Sequence, residues 1–279
     1  MTNRKALLID TTRCIGCNAC QDSCQEENKL PELSEENKET LSDKAYTALT
    51  KYEGKSKDGE DIFVRQLCRH CNEPACLSVC LVNAFHKTPE GAVLYDGQKC
   101  IGCRYCMQAC PFYVPKYEWS STFPRVKKCV LCSERISKGE QTACAEACES
   151  TGTEATVFGD FDDMVAEANR RIAEEPDNYI DRIYGLKEVG GTAVLYLSSV
   201  PFEEIGFDKK LHVETTPHGF NPKLGEGPMP HLTMKALSKV PHVVGFGAVL
   251  LGGIWWITNR RHEVQENETA KHDDSNSQN

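Results

Sequence analysis

Sixteen cysteines in 279 residues fall into four blocks, and none lies outside them. Cys14, Cys17, Cys20 and Cys24 are spaced C-x2-C-x2-C-x3-C, and Cys68, Cys71, Cys76 and Cys80 follow as C-x2-C-x4-C-x3-C. Cys100, Cys103, Cys106 and Cys110 repeat the first spacing and precede Pro111. Cys129, Cys132, Cys144 and Cys148 read C-x2-C, an eleven-residue gap, then C-x3-C. Repetition of one unit is the main feature of the sequence. A C-x2-C-x2-C loop offers thiolates to three corners of a [4Fe–4S] cube, and the trailing cysteine leads to the other cluster of a pair. Four blocks then make four cubes with four thiolates each. Zinc ribbons use two C-x2-C pairs per metal, not a triple with a trailing cysteine. Disulfide frameworks belong to small secreted chains, and a thioredoxin-like dithiol needs one C-x-x-C. A zinc-binding scaffold without redox work is the remote alternative. With a cysteine at every corner, Cys106 included, no iron is left open to substrate. The chain reads as a wire without a catalytic site.

The elements that must position these thiols are legible in outline. Hydrophobic residues make up 40% and aromatics 8%, a folded composition. The net charge of −9 and the absence of a basic stripe exclude nucleic acid as a partner. Residues 1–160 form the cluster-bearing region, interrupted by a polar stretch, 26–61, that reads as a solvated insertion with a short helix. Residues 161–215 form an α/β extension packed on it. There, Phe161, Met164, Val165, Ala168 and Ile172 lie on one helical face, Pro176 ends the helix, and 191–200 reads as a buried strand. A Gly-, Pro- and His-rich linker, 216–239, follows.

Residues 240–259 carry no formal charge. At about 1.5 Å per residue they span roughly 30 Å, the depth of a bilayer core. Trp255 and Trp256 near one end and Arg260 and Arg261 beyond it complete the pattern of one transmembrane helix. Ala248 and Gly252 form a small-x-x-x-small pair suited to packing on another helix. The charged, Ser- and Asn-rich tail, 260–279, has a disordered composition. Met1 to Asp10 contains neither an apolar export core nor a twin-arginine signal.

Several residues beside the ligands carry two readings. His70 either tunes a cluster or is a partly exposed loop residue. Arg69, Arg104, Lys127 and Lys128 either favour a reduced cluster by their charge or are solvated surface groups. His242 reads as a packed interfacial histidine before a haem or quinone ligand. The chain has no Ser/His/Asp set, no paired carboxylates and no phosphate loop.

The four blocks, with IDTTRCIGCNAC (9–20), YDGQKCIGCRYCMQACPF (95–112) and YGLKEVGGT (184–192), resemble the iron–sulfur beta subunit of membrane-bound formate dehydrogenases. That family sits within the four-cluster ferredoxin-type subunits of molybdopterin oxidoreductases. The resemblance runs over nearly the whole chain and implies an α+β fold of tandem ferredoxin-like dicluster domains plus one C-terminal transmembrane helix. It implies cluster one on Cys14, Cys17, Cys20 and Cys148, and cluster two on Cys24, Cys129, Cys132 and Cys144. Cluster three falls on Cys68, Cys71, Cys76 and Cys110, and cluster four on Cys80, Cys100, Cys103 and Cys106. The chain departs from the pattern at Cys24, Cys80 and Cys148, which lack a following proline, and at ESTGTEA (149–155) in place of a compact Pro-Thr-Gly-Ala. The implied role is electron transfer between a molybdopterin (Mo/W) catalytic subunit that oxidises formate and a membrane cytochrome b-type subunit with its quinone. The alternative engine is a nickel–iron hydrogenase or another molybdopterin oxidoreductase. The implied location is the inner membrane and its lipid bilayer, single-pass. The clusters would lie on the periplasmic side through co-export with a signal-bearing partner, or alternatively on the cytoplasmic face.

Overall fold

The computed structural model describes residues 4–34, 37–207 and 244–261. β1 (Lys5–Asp10) buries Ala6, Leu7, Leu8 and Ile9, so both of its faces are covered. The first cysteine loop follows and enters α1 (Ala19–Glu27). Next, β2 (Thr47–Tyr52) pairs antiparallel with β3 (Ile62–Leu67), Thr47 opposite Leu67. The stretch 26–61 is therefore not wholly a solvated insertion. Thr47, Ala48 and Leu49 are buried, and α1 holds the strand through Gln21, whose Nε2 donates to the Lys38 and Thr47 carbonyls at 2.9 and 3.0 Å. Within β2 only Thr47, Ala48 and Leu49 are buried, so its apolar signal is too short to stand out from the polar residues around it.

Short elements carry the middle of the chain: α2 (Ala75–Ser78), the antiparallel pair β4 (Phe85–Lys87) and β5 (Val93–Tyr95), and α3 (Tyr105–Ala109). β6 (Lys116–Tyr117) and β7 (Val126–Lys127) form a second small pair. Then come α4 (Ser133–Ser137), α5 (Ala143–Ser150), β8 (Thr156–Asp160) and α6 (Phe161–Glu174). β9 (Val194–Leu197) is fully buried and shorter than the predicted 191–200. β1 is the central strand of a three-stranded sheet, antiparallel to β8 and parallel to β9.

Strand alternation splits the core in two. Leu7, Ile9, Val194 and Tyr196 face the cysteine-bearing side with Val64, Leu67 and Phe202. Ala6, Leu8, Leu195 and Leu197 face Met164 and Ala168 of α6. A buried ion pair ties helix to sheet: Arg171 Nη1 lies 3.0 Å from Asp10 Oδ2, with side-chain exposures of 1% and 0%. Asp10 also accepts from the Tyr179 hydroxyl at 2.8 Å. The periodicity of 161–175 identified this helix and its buried Met164 and Ala168, but not the buried arginine.

The chain divides into two units, Met1–Pro230 and His231–Asn279. In the second, residues 244–261 form α7, and Val244, Phe246, Val249, Leu251, Trp255 and Trp256 are exposed. Among the described residues no helix is long and apolar enough to cross a membrane. The described helix ends on Asn259, Arg260 and Arg261, which lower its mean hydropathy, while 240–243 of the predicted span lie outside the described residues. His242, the linker 216–239 and the tail from residue 262 lie outside them too.

Candidate metal centre

In each block the first two cysteines sit on a loop and the next pair lies on or beside a helix. Cys14 and Cys17 lie between β1 and α1, and Cys20 and Cys24 are one turn apart on α1. Cys129 follows β7, Cys132 caps α4, and Cys144 and Cys148 are one turn apart on α5. Because residues four apart share a helix face, the packing of α1 on α5 brings the first and fourth blocks together. Cys14, Cys17, Cys20 and Cys148 line one cavity with Ile9, Leu49 and Ala155. Thr153, from the ESTGTEA run, lines it too. Cys24 lies within electrostatic reach of Cys144 and Cys132, and Cys129 within reach of Cys24 and Cys132.

α2 and α3 repeat the arrangement in the middle of the chain. Cys68, Cys71, Cys76 and Cys110 line a second cavity with Pro74, Phe112 and Val114. Cys106 has Cys100, Cys103 and Cys80 as its thiol neighbours. The sets also follow one another: Cys20 neighbours Cys144, Cys129 neighbours Cys68, and Cys76 neighbours Cys106.

All sixteen cysteines are free thiols, and only Cys17 and Cys103 are exposed. Burial pushes Cys20, Cys24 and Cys106 up to about 12 and Cys132 up to about 11. Backbone N–H groups aim at the sulfurs and favour the thiolate. Thr156 donates to Cys148 Sγ at 3.2 Å, Leu131 to Cys129 Sγ at 3.3 Å, Ala84 to Cys80 Sγ at 3.2 Å and Gly102 to Cys100 Sγ at 3.4 Å. Among the described residues no group of three or more Cys, His, Asp or Glu converges closely enough to hold a single metal ion. Sulfur-only donors, apolar walls and inward N–H groups fit a larger sulfur-ligated iron cluster.

The charged neighbours divide cleanly. Lys127 is partly exposed and pairs with Glu118 at 3.0 Å, and Arg104 is exposed, 5.1 Å from the centre of the Trp119 ring. Arg69, Lys128 and His70 are buried, so they are not solvated groups. Lys128 and Arg69 line the cavity of Cys68, Cys71, Cys76 and Cys110. The Lys128 Nζ donates to the carbonyls of Val93 and Cys129, and the Arg69 guanidinium lies 4.2 Å from the Tyr196 ring centre. His70 Nδ1 accepts from the Val93 N–H at 2.9 Å, and burial holds its pKa well below the ordinary value, so the ring is neutral. Sequence reading missed Arg65. It is buried, donates from Nε to Thr47 Oγ1 at 2.9 Å and from Nη1 to Thr156 Oγ1 at 3.4 Å, and lines the first cavity. No spacing rule marks it, because it belongs to a strand, three residues before a cysteine block.

Residues 60–160 match the 4Fe-4S dicluster domain. The chain is 41% identical to a protein of Nitratidesulfovibrio vulgaris strain Hildenborough, over 95% of this chain and 70% of the relative. It is 36% identical to the hydrogenase-2 operon protein HybA of Escherichia coli O157:H7, over 73% of this chain and 72% of HybA. It is 32% identical to the formate dehydrogenase-O iron–sulfur subunit of Escherichia coli K12, over 94% of this chain and 87% of that subunit. With its thiols gathered from distant blocks and this likeness along nearly its full length, the chain belongs to the family of ferredoxin-type iron–sulfur subunits that includes the formate dehydrogenase subunits and HybA.

Proposed function

We propose that the chain is the non-catalytic electron-relay subunit of a respiratory oxidoreductase and holds four [4Fe–4S] clusters. Cys14, Cys17, Cys20 and Cys148 ligate cluster one, and Cys24, Cys129, Cys132 and Cys144 cluster two. Cluster three takes Cys68, Cys71, Cys76 and Cys110, and cluster four takes Cys80, Cys100, Cys103 and Cys106. The observation that carries this reading is the gathering of thiols from separate blocks into sets of four that neighbour one another in that order. When bound, such clusters supply one-electron uptake and release. The chain's own residues hold and shield them. Helix pairs α1–α5 and α2–α3 set the thiol positions; Ile9, Leu49, Phe112 and Val114 exclude water; backbone N–H groups stabilise thiolate sulfur. The first and last sets contain the two exposed thiols, Cys17 and Cys103, and these ends exchange electrons with partner subunits.

The partners are a molybdopterin-containing catalytic subunit of the formate dehydrogenase type and a membrane cytochrome b-type subunit with its quinone site. Likeness to the formate dehydrogenase-O subunit over 94% of the chain supports this choice. Likeness to HybA supports a second reading, in which a nickel–iron hydrogenase replaces the formate-oxidising engine. Residues 240–259 anchor the chain in the inner membrane, with the cluster region periplasmic. The exposed apolar side chains of α7 support an apolar environment for that helix.

The test is EPR at low temperature on the anaerobically purified complex, with formate or hydrogen as sole reductant. Reduced cluster signals with formate are expected. Signals with hydrogen alone select the second reading, and zinc in place of iron and acid-labile sulfide overturns the relay altogether. Protease treatment of sealed spheroplasts tests the orientation, since a tail degraded from outside contradicts it.

A further inference from the structure

Arg65 is a buried cation held by hydroxyls rather than by a carboxylate. Its relative exposure is 3%, and it donates hydrogen bonds to the Thr47 and Thr156 hydroxyls. It has no carboxylate ion pair among the described residues, whereas the similarly buried Arg171 sits 3.0 Å from Asp10 and 2.7 Å from Glu167. A guanidinium taken out of water with no counter-charge is costly, and structures normally retain one only where an anion meets it. The groups that meet Arg65 instead are cysteine sulfurs, which are anionic when they ligate a cluster. It lines the cavity of Cys14, Cys17, Cys20 and Cys148, and it also meets the Cys144 thiol, one turn along α5 from Cys148. Thr156 connects the two features directly, because its hydroxyl accepts from Arg65 while its N–H donates to Cys148 Sγ at 3.2 Å.

We propose that Arg65 is the shared counter-cation of clusters one and two, and that it raises the reduction potential of both. The inference rests on the relay reading above. Adding an electron makes an all-thiolate cluster more negative, so a fixed positive charge beside it favours the reduced form, and more strongly where water is excluded. One side chain serves two clusters because α1 and α5 each carry one ligand of either cluster, a single helical turn apart. The β2–β3 hairpin delivers it: Arg65 stands opposite Leu49 in the ladder, and Thr47 supplies the acceptor that fixes its Nε.

The experiment is an anaerobic redox titration of the whole complex followed by EPR, comparing wild type with Arg65→Gln, Arg65→Lys and Arg69→Gln. Iron and sulfide contents and the dithionite-reduced spectrum of the wild type come first. If four reducible clusters are absent there, the relay reading fails, independently of Arg65. With four present, Arg65→Gln is expected to lower two of the four midpoints. The reduced-to-oxidised ratio at fixed potential should fall at least tenfold, about 59 mV for a one-electron couple. Arg65→Lys keeps the charge and is expected to lower the same two by less. It also carries the test alone if the glutamine variant does not assemble. Arg69→Gln, at the cavity of Cys68, Cys71, Cys76 and Cys110, is expected to leave those two midpoints in place. Unchanged midpoints, an equal fall in all four, or equal effects of Arg65→Gln and Arg69→Gln on the same two would overturn the proposal.

Discussion

Two residues after the leading cysteine of every block, the backbone turns left-handed. Gly16, His70, Gly102 and Leu131 have φ of 72, 47, 73 and 54°. That conformation folds the loop back so that the N–H of Gly102 or Leu131 reaches the sulfur of the cysteine before it. It suits glycine and strains any other residue by about 1–2 kcal/mol. At Gly102 the space is closed as well, because an added Cβ would lie 2.7 Å from the Tyr117 hydroxyl. Gly102→Ala is therefore expected to destabilise the protein by about 1–2 kcal/mol and to speed cluster loss under air, followed by the decay of visible absorbance. Removing the hydroxyl with Tyr117→Phe should recover only part of the loss, since the backbone strain persists. Full recovery would mean that the contact alone matters. The same comparison explains what was legible at this scale. Glycine announces the turn in the first and third blocks, whereas histidine and leucine conceal it in the second and fourth.

At the scale of elements, cysteine spacing and helical periodicity exposed much of the architecture. The i, i+4 pairs on α1 and α5 and the apolar face of α6 follow from local pattern. The β2–β3 hairpin does not, because its burial depends on Gln21 and on the fold around it rather than on its own composition. Nor does the pair that fastens α6 to β1, since Asp10 and Arg171 lie far apart in sequence and each looks like an ordinary surface charge. Cutting this pair at Arg171 leaves the buried Asp10 only the more distant, partly exposed Arg13, 3.7 Å away, and costs up to about 3–5 kcal/mol. Arg171→Met is expected to lose that much stability in denaturant titration, whereas the double change Asp10→Leu, Arg171→Met should recover a large part. If the single change costs under about 1 kcal/mol, the pair behaves as a surface one. The neighbouring Glu167 gives the helix a pH signature. Hydrogen bonds from Arg170, and also from Arg171, hold its carboxyl at about 2 against an ordinary 4.5. A depressed carboxyl favours the fold above its ordinary value and loses that contribution as pH falls from 4.5 towards about 2. Wild type should therefore melt above Glu167→Gln near neutrality, and the gap should close through this acid window. Comparing the two proteins at each pH cancels acid damage common to both. A gap independent of pH would remove the linkage.

Across the whole molecule, the four proposed thiol sets neighbour one another in series: Cys20 to Cys144, Cys129 to Cys68, Cys76 to Cys106. The joint in the middle is the informative one, because it links pairs built from blocks far apart in the chain. Sequence spacing alone is silent about it, since either pair could be turned end for end without changing any motif. The cavities also separate the ends from the interior: exposed thiols occur only at Cys17 and Cys103, beside the exposed Ile15 and Ile101. A line with one entrance and one exit makes a prediction that a ring or a branched array does not. On the proposed assignment, removing a thiol of the second set with Cys129→Ala should cost cluster two while the other three sets keep their ligands. In the intact complex, the physiological reductant is then expected to reduce only the clusters on its own side of the gap, whereas dithionite reduces all three that remain. EPR under both reductants distinguishes the cases. Full reduction by the physiological donor, at the wild-type rate, would mean that electrons have a second route and that the linear order is wrong. If the donor reduces cluster one alone, the catalytic partner docks at Cys17. If it reduces clusters three and four, the partner docks at Cys103, and the same experiment assigns the other end to the membrane subunit.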